Sequence, residues 1–162
     1  RHSSSAASDV YKRQDVDRVR RQLEIEEGVV YEIYLDHLDY PTFGIGHLIQ
    51  EDDPEAGLET GIKVSKERVR NAFEADLAVA CSECSVLYKS DWDQFPEEVQ
   101  EILVNMMFNL GRPRLTKFKK MNAALGNRNW TTAAIEGRDS LWYRQVGNRA
   151  ERLMMRMENV ST

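Results

Sequence analysis

The part of the sequence that decides the fold is residues 27–49, which read EGVVYEIYLDHLDYPTFGIGHLI. Residues 29–35 are rich in β-branched and aromatic side chains, which favour a strand. Residues 36–39 supply aspartates for a turn, and residues 40–43 and 45–49 predict two more short strands. We therefore expect a small antiparallel sheet early in the chain.

A short amphipathic helix is predicted before this sheet. Val16, Val19 and Leu23 recur at helical spacing, and Gly28 suits a left-handed cap at the end of the helix. Residues 1–14 show no apolar period and are rich in serine and alanine. We interpret them as a tag, an assembly remnant or a natural tail and leave them out of the fold.

After the sheet the pattern becomes helical. Ser65 is a suitable N-cap, and apolar residues then keep a three-to-four-residue period to about Tyr88. At ~1.5 Å per residue this helix reaches roughly 35 Å, long enough to connect two lobes. Another helix is predicted from Pro96, in its first turn, to Gly111. Its apolar residues lie on several faces, which indicates the buried centre of a second lobe.

Three shorter helices are predicted to complete the second lobe. They cover residues 115–125, 130–141 and 149–160, and Asn148 is expected to cap the last of them. Glycines at the ends of such segments favour short helices over one long one.

The predicted fold class is therefore α+β, mainly α, with two lobes. The N-terminal lobe, residues 15–88, holds the small sheet and ends with the long connecting helix. The C-terminal lobe, residues 89–162, is helical. A cleft between two such lobes is the usual place for a ligand.

Composition argues against several classes of protein. The formal charge of −5 argues against a nucleic-acid binder, and no apolar run approaches the ~20 residues that a membrane span needs. No charged-then-apolar leader opens the chain, so we expect no secretory signal. Cys81 and Cys84 have no second cysteine pair, which favours packed thiols, and the three histidines lack metal-site spacing. Neither a cofactor nor a metal is indicated.

Three polar residues fall in or beside the small sheet. Glu27 ends the first helix, Asp36 ends the first strand, and Thr42 lies in the second strand. A helix followed by a hairpin can bring all three to one edge of the sheet. Two carboxylates flanking a gap are what glycoside hydrolysis needs. One donates a proton to the leaving oxygen, while the other orients water or stabilises the oxocarbenium-like charge.

The same region resembles the active-site region of the phage-type lysozymes. The spacing of the three polar residues, Glu-x8-Asp-x5-Thr, is that of the family, and the run TFGIGHL at residues 42–48 agrees with it. Two further blocks occur in the expected order, residues 105–111 (NMMFNLG) and residues 142–152 (WYRQVGNRAER). The resemblance covers about residues 17–158 and implies the two-lobe fold of that family.

The resemblance also implies an activity and its residues. The protein would be a lysozyme that hydrolyses peptidoglycan with inversion at the anomeric carbon. Glu27 would be the general acid, and Asp36 would place the attacking water, which Thr42 would hold from the other side. Arg149 would pair with Glu27, and Asn105, in the second block, would support the site.

Sugar-contacting positions follow from the same resemblance. Leu48 and Phe108 match cleft positions that contact sugar in the family. Two further contact positions, usually small or polar, are Met121 and Glu136 in this chain, which leaves the subsite preference open.

His47 is expected to have a structural role. A lone histidine after a glycine-rich strand is more often structural than a catalytic base. The resemblance agrees, because His47 and Asp76 match a pair that forms a structural ion pair between the sheet and the long helix.

Two alternatives remain open. A lysozyme fold could hold peptidoglycan or another protein without cutting it, although the intact acid, aspartate and threonine argue against this. A related enzyme could instead act on chitin-like oligomers. In the leading interpretation the protein is a monomer that binds neither membrane nor nucleic acid. It accumulates in the host cytoplasm and reaches the periplasmic cell wall after a separate protein has permeabilised the membrane.

Overall fold

A computed structural model describes residues 17–161 of the chain. It has the predicted α+β fold class, with one small antiparallel sheet near the start of the described residues and helices after it. The chain divides into two compact units, one ending at Ala78 and the other beginning at Val79. This division falls inside the helix Lys66–Tyr88, named α2 here. The lobe boundary expected after Tyr88 stays a prediction.

The first unit opens with a helix, α1, whose described part covers residues 17–27. Val19 and Leu23 are buried, as the amphipathic pattern predicts, whereas Val16 and the expected tail lie outside the described residues. The helix ends at Gly28. The φ of 76° at this glycine, and the bond from its N–H to the Glu24 carbonyl at 3.0 Å, confirm the predicted left-handed cap.

The sheet has three antiparallel strands in the order β1-β2-β3, which are Val30–Leu35, Pro41–Gly44 and His47–Leu48. The third strand is shorter than the predicted 45–49. Gly44 and Gly46 have φ of 66° and 65°, so the chain turns tightly between them instead of starting a strand at residue 45.

The register puts three residues on one face of the sheet, because Tyr34 pairs with Thr42 and Thr42 pairs with Leu48. The opposite face packs into the apolar core of the first unit. This core consists of Ile33, Phe43, Val64, Val69 and Ala72, of which the last two belong to α2.

The range of α2 matches the prediction. The N–H of Arg68 donates to Ser65 Oγ at 3.1 Å, which confirms Ser65 as the N-cap. Cys84 is buried and Cys81 is half-buried, as expected of packed thiols, and neither forms a disulfide with a described residue. A 3-10 helix, Lys89–Gln94, follows α2 and is not apparent from the apolar period.

The second unit is built around α3, Glu97–Leu110. Residues 99 and 101–107 are buried, which confirms this helix as the centre of its unit. Pro96 is the N-cap residue and not, as predicted, part of the first turn. Gly111 ends the helix as predicted, with φ of 79° and its N–H bonded to the Met107 carbonyl at 2.8 Å.

Five short helices follow α3, where the sequence predicts three. They are α4 to α8, with the ranges Arg112–Thr116, Lys119–Gly126, Trp130–Arg138, Leu141–Val146 and Asn148–Glu158. Within residues 17–161, no helix is both long enough and apolar enough to cross a membrane.

The first correction concerns the predicted helix 115–125. It is divided in two because the backbone leaves the helical conformation at Phe118, with φ of −76° and ψ of 59°. The Phe118 ring packs edge-on against Trp142, with 6.2 Å between the ring centroids, and this contact fixes the break.

The second correction concerns the predicted helix 130–141, which ends at Arg138. Ser140 begins a new helix, because its Oγ accepts the N–H of Tyr143 at 3.1 Å and donates to the Gly137 carbonyl at 2.6 Å. The serine therefore caps two helices at once.

The third correction concerns the last helix, predicted over 149–160 with Asn148 as its cap. Asn148 is its first residue, Gly147 precedes it with φ of 73°, and the helix ends at Glu158. A positive φ at the glycine gives the sharp reversal between α7 and α8.

α6 and α8 pack closely at Gly137. A β-carbon there would collide with the sulfur of Met154 and would lie 3.4 Å from the sulfur of Met121, so a larger residue would require the Met154 side chain to move. Beside this contact the guanidinium of Arg138 on α6 donates to Glu151 at 2.7 Å and to Glu158 at 3.0 Å, both on α8. Close packing and charge pairing thus hold the same two helices together.

Candidate functional site

Glu27 lies against the turn between β2 and β3. It is the last residue of α1 and is half-buried. A β-carbon on Gly46 would lie only 3.0 Å from Glu27 Oε2, so the carboxylate occupies the space next to the glycine α-carbon. The end of α1 and the glycine turn therefore fix the position of this side chain together.

Asp36 is fixed by its own turn. It follows β1, and its Oδ1 accepts the N–H groups of Leu38 at 2.8 Å and Tyr40 at 2.9 Å. This is an Asx-type turn, in which the side chain replaces a backbone acceptor. In the part of the chain that the structure describes, the second oxygen, Oδ2, accepts no hydrogen bond. The carboxylate is thus oriented through one oxygen, while the other is open to a ligand or water.

Thr42 has its hydroxyl hydrogen committed. Its Oγ1 donates to the Tyr40 carbonyl at 2.8 Å, and its side chain is 2% exposed. A hydroxyl has one hydrogen and two lone pairs, so Thr42 Oγ1 can only accept from a further group. A water beside it would have to donate.

Tyr34 is the site residue that the sequence does not single out. Burial, followed by the negative charges of Glu27 and Asp36, raises the pKa of Tyr34 above its usual 10.0, so the phenol is protonated near neutral pH. The strand register of the folded sheet reveals it, because Tyr34 is the cross-strand partner of Thr42. Leu48 ends the same row of side chains and is 44% exposed, which leaves an apolar surface beside Thr42.

The contact between His47 and Asp76 that the resemblance implies is present. His47 Nδ1 lies 2.7 Å from Asp76 Oδ2, and the other ring nitrogen lies 2.7 Å from Asp53 Oδ2. Burial alone lowers the pKa of His47, but the hydrogen bonds to the two carboxylates outweigh it, and the pKa rises above 6.5. The histidine is therefore held between two acids, and its supporting role at the site stays a prediction.

Asp53 and Arg68 extend this network, and the sequence analysis misses both. Arg68 donates to Asp53 at 3.1 Å and to both oxygens of Glu55, at 2.8 and 2.9 Å. Burial opposes a low pKa at Asp53, but the Gln50 N–H, His47 and Arg68 lower it below its usual 3.8. The acidic loop after β3 is thereby tied to both the sheet and α2.

In the second unit Arg149 and Asn105 are brought together. Arg149 Nη2 donates to Asn105 Oδ1 at 3.2 Å, and Asn105 is buried at 1% exposure. Glu27 belongs to the first unit, and its predicted pairing with Arg149 stays a prediction. Trp142 Nε1 donates to Asn109 Oδ1 at 3.1 Å, which links the two blocks of the resemblance within this unit.

The three predicted sugar-contacting residues of the second unit differ in exposure. Phe108 and Glu136 are half-buried and retain surface for a ligand. Met121 is 1% exposed, which leaves almost no surface for a direct sugar contact. All three roles stay predictions. Among the described residues, no group of three or more histidine, cysteine, aspartate or glutamate side chains is placed to hold a metal ion.

The geometry of the first unit suits acid–base chemistry. A half-buried carboxyl lies at the turn, a second carboxylate is oriented with one open oxygen, and a threonine can accept from water. Each of the three is held by backbone features, namely a helix end, an Asx turn and a strand pairing.

Comparisons with known proteins agree on one family. Residues 24–159 match the sequence model of the family described as phage lysozyme. The pre-baseplate central spike protein Gp5 of Enterobacteria phage T4 is 30% identical over 150 residues, which are 82% of this chain and 26% of that protein. The chain thus spans about a quarter of the spike protein.

Two relatives from Dictyostelium discoideum match over most of their length. They are named probable T4-type lysozyme 2 and probable T4-type lysozyme 1. The first is 28% identical over 157 residues, which are 86% of this chain and 92% of that protein. The second is 26% identical over 166 residues, with coverage of 88% and 95%.

Proposed function

This chain belongs to the phage lysozyme family, and from that premise we propose that it hydrolyses bacterial peptidoglycan. The bond cut is the β-1,4 glycosidic bond between N-acetylmuramic acid and N-acetylglucosamine. The observation that carries the proposal is that Glu27 and Asp36 both lie close enough for their charges to raise the pKa of Tyr34, which is the cross-strand partner of Thr42.

Glu27 is the proposed general acid. Its carboxyl group is half-buried against Gly46 at the end of a helix, where a proton can be delivered to the leaving oxygen from a fixed position. Arg149 is proposed to pair with it, and Asn105 to orient Arg149 through the 3.2 Å hydrogen bond.

Asp36 and Thr42 are proposed to hold the attacking water between them. The open oxygen of Asp36 accepts one hydrogen of this water, and Thr42 Oγ1, whose own hydrogen is committed to Tyr40, accepts the other. A lone pair of the water is then left to attack the anomeric carbon from the face opposite the leaving group. This predicts inversion of configuration, with Asp36 taking the proton.

The sugar chain is proposed to lie along Leu48 in the first unit and along Phe108 and Glu136 in the second. The exposed Leu48 side chain beside Thr42 supports the first of these contacts. Met121, which is buried, would shape the binding surface from beneath.

The proposed biological outcome is lysis of a bacterial host by a monomeric enzyme that needs no metal or organic cofactor. The enzyme would accumulate in the host cytoplasm and reach the periplasmic wall after the membrane has been permeabilised. That the enzyme binds neither nucleic acid nor membrane is part of the same proposal, and the acidic charge of the chain supports the first of these two statements.

The test compares wild-type protein with Glu27→Gln on outer-membrane-permeabilised Gram-negative cells. Turbidity and new muramic acid reducing ends are measured. We expect Glu27→Gln to lower the rate about 10²–10⁴-fold, the contribution of a positioned general acid, because the leaving oxygen is no longer protonated as the bond breaks. The melting temperature should stay unchanged.

Glu24→Gln is the matched control, because Glu24 lies one turn earlier on the same helix and pairs with Arg20 at 3.3 Å. It should retain wild-type activity. Lysis by Glu27→Gln near the wild-type rate would contradict the assignment of the acid. If wild-type protein cuts nothing but still binds purified wall, the non-hydrolytic binding module becomes the better interpretation.

A further inference from the structure

A strongly basic segment interrupts this acidic chain. Residues 112–120 read RPRLTKFKK, with five cationic and no acidic side chains. The whole chain has a formal charge of −5, so everything outside these nine residues carries −10. The segment covers α4 and the start of α5 in the second unit.

Four of the five cations face solvent without an acidic partner. Arg114, Lys117, Lys119 and Lys120 are exposed, and none of them makes an ion pair with any residue between 17 and 161. Arg112 differs, because its Nε lies 2.6 Å from Glu83. We call the four unpaired side chains the basic patch.

The backbone under the basic patch is anchored. Leu115 is fully buried, and its carbonyl accepts the Asn122 amide at 3.1 Å. Tyr88 donates to the same asparagine at 2.8 Å, and Phe118 packs against Trp142. The apolar side chains of the segment therefore point inwards, and the four cations project from a fixed surface.

Stability of the fold does not explain the basic patch. Lys119 and Lys120 occupy the first turn of α5, which contains no acidic residue. The positive end of the helix dipole disfavours cations there, and the four neighbouring like charges repel one another. The arrangement is favourable only when an anion is present.

We propose that the basic patch binds the carboxylates of peptidoglycan stem peptides and holds this acidic enzyme on an anionic wall. The proposal rests on the function proposed above and adds a second contact for the same substrate. Three of the four cations are lysines, whose flexible side chains carry a single point charge and suit carboxylates that are spread over a polymer. Phosphates, in contrast, are often bound by arginine, which can donate two parallel hydrogen bonds to them.

Other anionic partners fit the surface less well. Binding of single-stranded nucleic acid uses exposed aromatic rings for stacking, but the ring of Phe118 in this segment packs against Trp142. Insertion into a lipid surface needs exposed apolar side chains, but Leu115 is buried. The basic patch offers charged side chains without exposed aromatic or apolar ones, which suits a hydrated polymer that carries carboxylates.

The test uses the full chain with the triple substitution Lys117→Gln/Lys119→Gln/Lys120→Gln. The control triple, Arg21→Gln/Lys66→Gln/Arg70→Gln, removes the same charge from exposed, unpaired positions elsewhere. Binding to purified sacculi is measured by co-sedimentation, on untreated sacculi and on sacculi whose carboxylates have been amidated. Release of reducing ends from both preparations is measured in parallel.

We expect the Lys triple to bind untreated sacculi about tenfold more weakly at 0.05 M salt, because three exposed ion pairs contribute that much together. The difference should disappear at 1 M salt, where the screening length is about 3 Å. On amidated sacculi, Lys-triple and wild-type proteins should bind and cut alike. The control triple should bind untreated sacculi within about twofold of wild type.

Equal binding of Lys-triple and wild-type proteins to untreated sacculi at low salt would overturn the proposal. An equal loss in the control triple would do the same, because it would show an effect of net charge alone. A loss that persists on amidated sacculi would exclude stem-peptide carboxylates as the partner. Failure of wild-type protein to cut either preparation would contradict the proposed hydrolysis, while the binding comparison still decides the role of the basic patch.

Discussion

Gly46 is subject to two constraints that a single residue rarely combines. Its φ of 65° is a left-handed conformation that side chains disfavour, and a β-carbon there would lie only 3.0 Å from Glu27 Oε2. The second constraint connects a backbone turn directly with the proposed acid.

We predict that Gly46→Ala lowers both stability and activity. The left-handed conformation costs about 1–2 kcal/mol for alanine. The new methyl group must also displace Glu27 Oε2, which lies 3.0 Å from its position, so the rate of reducing-end release should fall at least about tenfold. Thermal unfolding and activity are measured on the same preparation.

Gly61→Ala is the matched control, because Gly61 has φ of 89° and a β-carbon there meets nothing within 4 Å. It should lose comparable stability while keeping its activity. Full activity in Gly46→Ala would show that the position of Glu27 in the structure does not matter for catalysis.

Capping residues decide the helices of the second unit. The apolar period continues from α6 into α7, and the chain nevertheless breaks because Ser140 bonds the N–H of Tyr143 and the carbonyl of Gly137. Both bonds are made by the serine side-chain oxygen. The spacing of apolar residues therefore does not predict them.

We predict that Ser140→Ala destabilises the protein by about 1 kcal/mol, the usual cost of losing a serine N-cap. Activity at 25 °C should be unchanged, since both hydrogen bonds of this cap join residues within the second unit. Ser161→Ala, near the end of the described chain, serves as control and should leave the melting temperature unchanged. A Ser140→Ala protein as stable as wild type would mean that the break between α6 and α7 depends on packing and not on the cap.

The sequence predicts the elements whose causes are local. The sheet, α2 and α3 follow from β-branched runs, the Ser65 cap and the glycine stops. The division of helix 115–125 does not follow, because it depends on the ring contact between Phe118 and Trp142, which are far apart in the chain.

The site divides in the same way. Glu27, Asp36 and Thr42 could be named from spacing and family resemblance. Tyr34 and Asp53 could not, because their importance comes from a strand register and from the second nitrogen of His47. Only the folded chain brings these partners together.

The dependence of stability on pH is a property of the whole molecule, and the hydrogen bonds between His47 and its two carboxylates contribute to it. The pKa of His47 is raised, so its stabilisation is complete below about pH 6.5 and is lost as the pH rises through the folded value. The pKa of Asp53 is lowered, so its contribution is present above about pH 4 and is lost as the pH falls through the folded value. The network therefore contributes most between about pH 5 and 6.

We predict that Asp76→Asn lowers the free energy of unfolding by about 2 kcal/mol at pH 5.5, the value of a hydrogen bond to a charged partner. The loss should shrink towards pH 9, because His47 loses its charge as the pH rises through its raised pKa. Denaturant unfolding at both pH values measures it, and lytic activity should be retained. Glu74→Gln, an exposed position on the same helix, is the control. A loss that stays constant from pH 5.5 to pH 9 would show that the charge of His47 is not its cause.

The tight contact of Met154 with Gly137 has a consequence for oxidation. A sulfoxide adds an oxygen to a sulfur that is already packed against the opposite helix, so forming it in the folded unit would require this side chain to move. Met154 is fully buried, while the next residue, Met155, is 48% exposed. Peroxide therefore reaches Met155 at once and Met154 only while α6 and α8 are apart. The ratio of the two oxidation rates therefore measures how often α6 and α8 separate. Mass spectrometry of peptides gives both rates, and the protein needs no attached label.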